Sequence, residues 1–296
     1  MKLGFVGAGR VGSTAAFATM NLVKCEEMAL VDVVADLATG EAMDLETTAE
    51  ALGKDIKISG GGDYSLLNGS DVIVITAGIA RKPGMTRLDL TKTNVGIMRD
   101  VIKNVMSNTK DAIVVLVSNP VDILVHQATK MVGKREQVLG MGSLHDTVRL
   151  TKIMKNMGAT KSEAVILGEH GDTMFPLKSR AKVKGVTLDW ESLIKAVRER
   201  GMEIIKRKGA TTYTPATCAA VMVRAIANNE KIEMPVSVVL NGEYGQKDVA
   251  MGVPAVIGRK GLIKIVEYEL AEDDKKSMEN SANVIRDMIK QIEGAA

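Results

Sequence analysis

The sequence is poor in cysteine and in aromatic residues. Its two cysteines, Cys25 and Cys218, form no CxxC pair and lie far apart, which argues against a disulfide framework and against a structural zinc site. This usage fits a reducing, cytoplasmic compartment, and we expect no metal. Three Phe, four Tyr and one Trp are scattered without basic clusters, so the chain lacks the stacking surfaces that are typical of nucleic-acid binding.

Long apolar runs and a large net charge are also missing. No run reaches the roughly 18 residues that cross a bilayer, and a strand-like segment at 2–6 begins too early for a signal peptide. The formal charge of the 296 residues is only +3. We therefore expect neither a membrane nor a nucleic-acid partner. Apolar residues make up 46% of the chain, which is enough for a substantial core.

The first 140 residues alternate short apolar runs with longer helix-like stretches. Strands are predicted at 2–6, 28–32, 55–59, 71–76, 112–117 and 136–140. Helices are predicted near 10–22, 37–51, 88–108 and 120–131. This alternation indicates βαβ units, and hence an α/β fold with a doubly wound parallel Rossmann sheet, which we assign to a first domain over 1–142.

The rhythm changes after residue 142. Helices are predicted at 146–157, 190–207, 215–228 and 271–293, with strands at 163–168, 235–241 and 250–267. The mixture predicts a second, α+β substrate domain over 143–296. No long linker separates the halves, so we expect a site between them.

A glycine-rich turn follows the first strand and opens the first helix. It reads G-x-G-x-x-G and consists of Gly7, Ala8, Gly9, Arg10, Val11 and Gly12. In this context the glycines permit a tight turn, close approach of a pyrophosphate and close packing of helix on strand. The helix N-terminus adds unpaired N–H groups for phosphate. A tight turn without a ligand is the alternative that the motif alone leaves open.

An acidic residue at the end of the second strand favours the dinucleotide interpretation. Asp32 can accept hydrogen bonds from ribose hydroxyls and would repel a 2′-phosphate, which favours NAD. The cationic Arg10 near the phosphates keeps NADP possible. Small residues end two further strands at the same sheet edge and would let the cofactor pass: Thr76, Ala77, Gly78, Val117, Ser118 and Asn119.

A histidine acid–base must be His126, His145 or His170, since the chain has three histidines. His170 stands in the segment GEHGD after a predicted strand, where the glycines leave its ring accessible. Asp146 and Arg149 share one helix face, so a carboxylate could hold an imidazole while a guanidinium grips a substrate carboxylate. An ordinary turn histidine and an ordinary helix salt bridge are the structural alternatives.

A basic loop runs from Arg81 to Asp89 between a strand end and a long helix. It contains Pro83 and Gly84, and its arginines, Arg81 and Arg87, are six positions apart. Such a loop could close over a substrate as a lid. A solvated basic loop without function is the alternative.

Taken together, these segments resemble the lactate/malate dehydrogenase family in order and spacing over nearly the whole chain. The matching segments are GAGRVG, the Asp32 strand end, TAG, RKPGMTRLDL, SNPVD, the Asp146–Arg149 segment, GEHGD and GVPA at 252–255. The resemblance implies reversible hydride transfer between a 2-hydroxy acid and NAD(P), in a homodimer or homotetramer.

The resemblance also implies roles for individual residues. His170 resembles the proton donor and acceptor, Asp146 its carboxylate partner and Arg149 the clamp on the substrate C1 carboxylate. Arg87 resembles the lid arginine that polarises the carbonyl. Further contacts with substrate or cofactor are implied for Asn119, Asn94, Val117 and Thr211.

Arg81 bears on the choice of substrate. Malate-specific members carry Arg at its position, whereas lactate-specific members carry an uncharged residue, so the resemblance implies malate and oxaloacetate. A lactate or broader 2-hydroxyacid dehydrogenase is the nearest alternative. Two departures stand out: His145 replaces a usually apolar residue and is expected to pack, and Thr214 stands where malate enzymes often have Gly.

Two other classes share the dinucleotide motif. An NAD-dependent glycosidase would need a metal site built from Cys and His, and the sequence offers no obvious ligand cluster. A non-enzymatic dinucleotide sensor would need no aligned His–Asp–Arg set.

Overall fold

The computed structural model describes residues 1–80 and 84–294. Its helices are α1 (Arg10–Leu22), α2 (Ala35–Ala51), α3 (Arg87–Asn108), α4 (Val121–Val132), α5 (Ser143–Asn156), α6 (Trp190–Lys208), α7 (Tyr213–Ala227) and α8 (Glu272–Glu293). Its strands are β1 (Lys2–Val6), β2 (Glu27–Val31), β3 (Lys57–Gly61), β4 (Val72–Ile75), β5 (Ile113–Leu116), β6 (Val138–Gly140), β7 (Lys161–Glu163), β8 (Ile166–Leu167), β9 (Phe175–Pro176), β10 (Lys182–Lys184), β11 (Ile232–Asn241), β12 (Lys247–Gly258) and β13 (Gly261–Ile265).

Nine of the strands within the described ranges form one sheet, in the order β13-β12-β11-β6-β5-β4-β1-β2-β3. The pairs from β6 to β3 are all parallel. The central strands β4 and β5 are buried along their whole length, as parallel strands covered by helices on both faces must be. The predicted doubly wound parallel sheet is therefore confirmed.

Six of the helices in the described ranges form two groups, whereas α5 packs against α6. In one, α1 contacts α2 and α7, while in the other α3 contacts α4 and α8. The buried face of α1 carries small residues at helical spacing, among them Gly12, Ala15 and Ala16, which allow close approach of its neighbours. This arrangement is the one expected for layers on the two faces of a doubly wound sheet.

The second half of the chain contributes both to this sheet and to a core of its own. The antiparallel strands β11, β12 and β13 extend the sheet, joined to β6 where Ser237 lies opposite Gly140. A separate apolar cluster between α5 and α6 includes Leu150, Met154 and Val197. The predicted second α+β unit is confirmed, and its boundary at 142/143 stays a prediction.

Two predicted strands were wrong in detail. The segment 250–267 is the hairpin of β12 and β13, which turns at Arg259 and Lys260 before Gly261, whose φ is +81°. The segment 163–168 is divided between β7 and β8, which belong to different two-stranded sheets. Neither turn leaves a periodic signal, because β12 is buried over most of its length and β7 and β8 have only three and two residues.

Candidate active site

The glycine-rich turn lies at the carboxyl end of β1. Gly7 has φ +97°, a conformation that favours glycine, and its N–H donates to the carbonyl of Val31 at 2.8 Å. A side chain at Gly12 would overlap the carbonyl oxygen of Gly7, whereas one at Gly9 would meet open space. Two of the three glycines therefore serve close backbone packing, and Gly9 keeps the crevice wall bare.

Asp32 lies at the mouth of the same crevice. Its carboxylate accepts hydrogen bonds from the backbone N–H of Ala8 at 2.7 Å and of Val34 at 2.9 Å. A carboxylate has about four acceptor positions, so capacity remains for ribose hydroxyls. The bonds to Ala8 and Val34 hold the carboxylate beside the glycine turn.

A cavity of about 480 Å³ occupies this crevice. The predicted residues that line it are Gly7, Gly9, Arg10, Val11, Asp32, Thr76, Ala77 and Gly78. Apolar residues that sequence reasoning missed complete the wall, among them Tyr64, Ile79 and Ile97. The bare glycine wall, the carboxylate and the apolar side fit the pyrophosphate, ribose and adenine parts of a dinucleotide.

The remaining predicted cofactor residues lie outside the lining of this cavity. Ala8, Gly12, Asn94 and Val117 are buried. The amide of Asn94 accepts from the N–H of Ile79 at 2.9 Å and donates to the carbonyls of Ile79 at 3.1 Å and Asn119 at 2.7 Å. Asn94 thereby ties two strand-end loops together, and its contact with NAD stays a prediction.

His170 and Asp146 form a direct pair at the end of the sheet. Nδ1 of His170 lies 2.5 Å from Oδ2 of Asp146. The carboxylate is fully buried and the histidine side chain is 14% exposed. A carboxylate that accepts from Nδ1–H fixes the tautomer and leaves Nε2 to exchange a proton with a ligand.

The fold holds the backbone of His170 as well as its ring. The buried carboxylate of Asp122, on α4, accepts from the backbone N–H of His170 at 2.7 Å and from the Ser237 hydroxyl at 2.5 Å. A Cβ at Gly142 would lie 2.9 Å from Cβ of His170, so only glycine lets the histidine pack this closely. Three elements, α4, β11 and the start of α5, thus fix one side chain.

Two arginines border the histidine differently. Nη1 of Arg149 lies 3.6 Å from Oδ1 of Asp146, and its side chain is largely buried. Nη2 of Arg87 donates to Oδ2 of Asp172 at 2.8 Å, in a pair of which both members are exposed. Arg87 and His170 line one cavity of about 190 Å³ together with Asn119.

Of the predicted substrate residues, the structure places Arg87 and Asn119 at the cavity of His170, whereas Arg149 pairs with Asp146 and lines neither of the two cavities. Thr211 is half-buried between α6 and α7 and lines neither of the two cavities. Arg81 lies outside the described residues, so its place in the site stays a prediction.

Residues 1–80 and 84–294 contain no group of three or more His, Cys, Asp or Glu side chains that could hold a metal ion. In the same part of the chain, every helix is too short or too polar to cross a membrane.

Comparison with known proteins identifies the family. Residues 1–140 match the family model for the NAD binding domain of lactate/malate dehydrogenases, and residues 145–295 match the model for their alpha/beta C-terminal domain. The chain belongs to the lactate/malate dehydrogenase family. The resemblance on which the sequence interpretation rested is confirmed.

Individual relatives cover the chain almost completely. A malate dehydrogenase of Archaeoglobus fulgidus is 46% identical over 294 residues, which are 99% of each chain. An L-lactate dehydrogenase of Listeria innocua is 39% identical over 310 aligned positions, covering 99% of this chain and 98% of the relative. A solved structure of the Archaeoglobus fulgidus malate dehydrogenase in complex with NADH superposes with a TM-score of 0.96, at 45% identity, covering 99% of this chain and 100% of that one.

Electrostatics set the proton affinity of the histidine. Burial disfavours the imidazolium of His170, but the charge and hydrogen bond of Asp146 outweigh it, and Asp122 adds to them, so the pKa of His170 is raised. Burial likewise opposes ionisation of Asp146, yet the charge and hydrogen bond of His170 prevail and lower the pKa of Asp146. The site therefore favours an ion pair.

The departure at His145 fits the expectation that this residue packs. The ring is buried and lies 6.1 Å from the His170 ring. Burial first, and then the charges of Arg149 and His170, lower the pKa of His145 to about 3. His145 is thus neutral near pH 7 and adds no charge to the site.

Sequence reasoning missed two acids, Asp122 and Asp172. Asp122 had a usable signal, because it stands in the SNPVD segment at the carboxyl end of a strand. Burial raises the pKa of Asp122 to about 6, against the hydrogen bonds from Ser237 and His170. Asp172 has no comparable signal, since its pairing with Arg87 joins positions 85 residues apart.

We predict that Asp146→Asn lowers the pKa of His170 by about one unit or more, which is the usual scale for losing an adjacent opposite charge. Burial is then left to oppose the imidazolium. NMR titration of the imidazole protons in the cofactor-free protein measures this. Because the pKa of His145 is about 3, its imidazole signals do not shift in the pH range where His170 titrates. Asp122→Asn should give a smaller decrease, and an unchanged His170 pKa in Asp146→Asn would contradict the assignment.

Proposed function

We propose that this chain is an NAD-dependent malate dehydrogenase, which interconverts malate and oxaloacetate. The observation that carries the proposal is the buried His170–Asp146 pair, with Arg149 beside it, at the same sheet edge as the dinucleotide crevice. The malate dehydrogenase relative at 46% identity supports this choice. The reaction is a step of the tricarboxylic acid cycle.

His170 acts as the acid–base. When bound, the nicotinamide supplies the hydride acceptor for malate oxidation and the hydride donor for oxaloacetate reduction. In oxidation, neutral His170 takes the hydroxyl proton at Nε2, and Asp146 stabilises the resulting imidazolium through Nδ1–H. In reduction, the imidazolium returns this proton to the carbonyl oxygen. Such acid–base work contributes about 10²–10⁴-fold in rate.

The arginines orient the substrate and stabilise developing charge. We assign to Arg149 the C1 carboxylate, because its planar fork matches a carboxylate bidentately. Arg87, paired with Asp172 at 2.8 Å, would exchange that carboxylate for the reacting oxygen, where it stabilises the negative charge. Asn119 and Thr211 would contribute further polar contacts with the substrate.

The two reaction directions should have opposite pH profiles. Reduction needs the imidazolium of His170, whose pKa is raised, so kcat/KM for oxaloacetate should fall about tenfold per pH unit above that pKa. Oxidation needs the neutral ring, so kcat/KM for malate should rise with pH and level off above the pKa of His170. NADH absorbance measures both directions across pH 5–10, and parallel profiles would contradict the role of His170.

Arg81 should set the preference for oxaloacetate over pyruvate. If the second carboxylate of oxaloacetate pairs with Arg81, removing the guanidinium costs about 2 kcal/mol or more, which is about thirtyfold in kcat/KM. Arg81→Gln should therefore lower kcat/KM for oxaloacetate at least thirtyfold more than for pyruvate. Lys82→Gln, which removes a charge from the same loop, is the control. An unchanged ratio in Arg81→Gln would refute the assignment, and pyruvate preferred by the wild type would favour a lactate dehydrogenase.

Asp32 should make the enzyme prefer NADH to NADPH, because its carboxylate would repel a 2′-phosphate. Asp32→Asn keeps the shape of the side chain and should reduce the NADH:NADPH ratio of kcat/KM by about tenfold, the effect of roughly 1.4 kcal/mol. Asp36→Asn removes a nearby exposed acid on α2 and is the control. If the wild type, Asp32→Asn and Asp36→Asn all have the same NADH:NADPH ratio of kcat/KM, Asp32 does not determine the cofactor preference.

We also propose that the chain acts as a homodimer or homotetramer in the cytoplasm. Exposed apolar side chains on the first two helices, including Phe17, Leu37 and Met43, support an interface there. Both cysteines are free and buried, as suits a reducing compartment.

A further inference from the structure

Helix α6 contains one glycine, at a position where it should weaken the helix. Gly201 stands well inside Trp190–Lys208 and is buried. Glycine in a helix interior is less favourable than alanine because it loses more conformational freedom. Whether an alanine could stand there depends on what its methyl group would meet.

The guanidinium of Arg149 occupies that space. A Cβ at Gly201 would lie 3.1 Å from Nη2, 3.2 Å from Nη1 and 3.4 Å from Cζ of Arg149. Both terminal nitrogens would be nearer than the central carbon, so the added methyl would press on the edge that carries Nη1 and Nη2. A guanidinium offers a second pair of parallel N–H donors on the edge that carries Nε, and Nε of Arg149 is buried without a hydrogen-bond partner among the described residues.

The guanidinium also lies beside the acid–base pair. Nη1 already lies 3.6 Å from the buried Oδ1 of Asp146, and only 11% of the arginine side chain is exposed. Since Asp146 is also bound to His170, a displaced guanidinium would change its distance to the acid–base pair. The missing side chain at 201 thus fixes where a carboxylate meets Arg149 relative to His170.

We propose that Gly201 is a positioning residue for the substrate carboxylate, acting through Arg149. The inference rests on the proposed function, because that function gives Arg149 its carboxylate. A purely structural role would instead make Gly201 necessary for packing α6 against α5. The two roles predict different effects of Gly201→Ala once the guanidinium of Arg149 has been removed.

Gly201→Ala tests the proposal, with Gly96→Ala as its matched control. Gly96 lies inside α3, and a Cβ there meets nothing within 4 Å. Gly96→Ala should leave KM and kcat unchanged. Gly201→Ala should raise KM for oxaloacetate about tenfold, because the displaced guanidinium binds the carboxylate less well, and should also lower kcat, because the bound substrate then lies away from its place beside His170. The Kd of NADH, from its fluorescence, should not change.

Arg149→Lys completes a double-mutant cycle. Lysine has no planar fork for the methyl to press upon, so adding Gly201→Ala to Arg149→Lys should raise KM less than about twofold. An equal increase in both backgrounds, or no increase in the wild-type background, would overturn the proposal. If Gly201→Ala alone fails to fold, rescue by Arg149→Lys supports the clash with the guanidinium, and failure of both variants overturns it.

Binding of oxalate separates this proposal from the proposed function. Oxalate is a carboxylate that does not react, and its Kd in the presence of NADH can be measured by fluorescence whichever keto acid the enzyme reduces. Gly201→Ala should weaken oxalate binding by the same factor as KM. Wild-type turnover of oxaloacetate tests the proposed function, and the ratio of variant to wild-type oxalate affinity tests Gly201.

Discussion

The hydrogen bond between His170 and Asp146 constrains the rest of the site. A fully buried carboxylate is strongly unfavourable unless it is paired and hydrogen-bonded. Asp146 meets this condition through Oδ2, which lies 2.5 Å from the imidazole, while Oδ1 has the charge of the Arg149 guanidinium at 3.6 Å and no hydrogen bond among the described residues. The loop of His170 and helix α5, which carries Asp146 and Arg149, must therefore lie close enough for these groups to pair. Under the proposed function, the pair would serve as acid–base while it also makes the buried carboxylate tolerable in the fold.

The extension of the sheet brings the histidine to this place. Gly168, two residues before His170, exchanges two backbone hydrogen bonds of 2.9 Å with Gly252 on β12. Ser237 on β11 lies opposite Gly140 and also donates to Asp122, which holds the backbone N–H of His170. The junction between the two halves of the sheet is thus also the support of the loop that carries His170.

The features that could be predicted from sequence depend on local order. The glycine turn, Asp32 at a strand end and the shared helix face of Asp146 and Arg149 all follow from short spacings. The supports that were missed join distant positions: 48 residues separate Asp122 from His170, and 85 separate Arg87 from Asp172. Gly201 looked like any helix glycine, because its neighbour Arg149 is brought there only by the packing of α5 against α6. Local spacing therefore predicts candidate site residues, whereas tertiary packing determines which distant residues support them.

The contrast between the two arginines follows from their surroundings. Breaking a buried ion pair by removing one partner costs about 3–5 kcal/mol, whereas an exposed pair contributes about 0.2–1 kcal/mol. Arg149 shares its carboxylate with His170 in a buried position, so it suits a fixed clamp whose distance to the acid–base must not change. Arg87 is paired with the exposed Asp172, so it can leave this partner for a substrate oxygen at little cost. Under the proposed function, the buried arginine would hold the substrate carboxylate and the exposed one would move to the reacting oxygen.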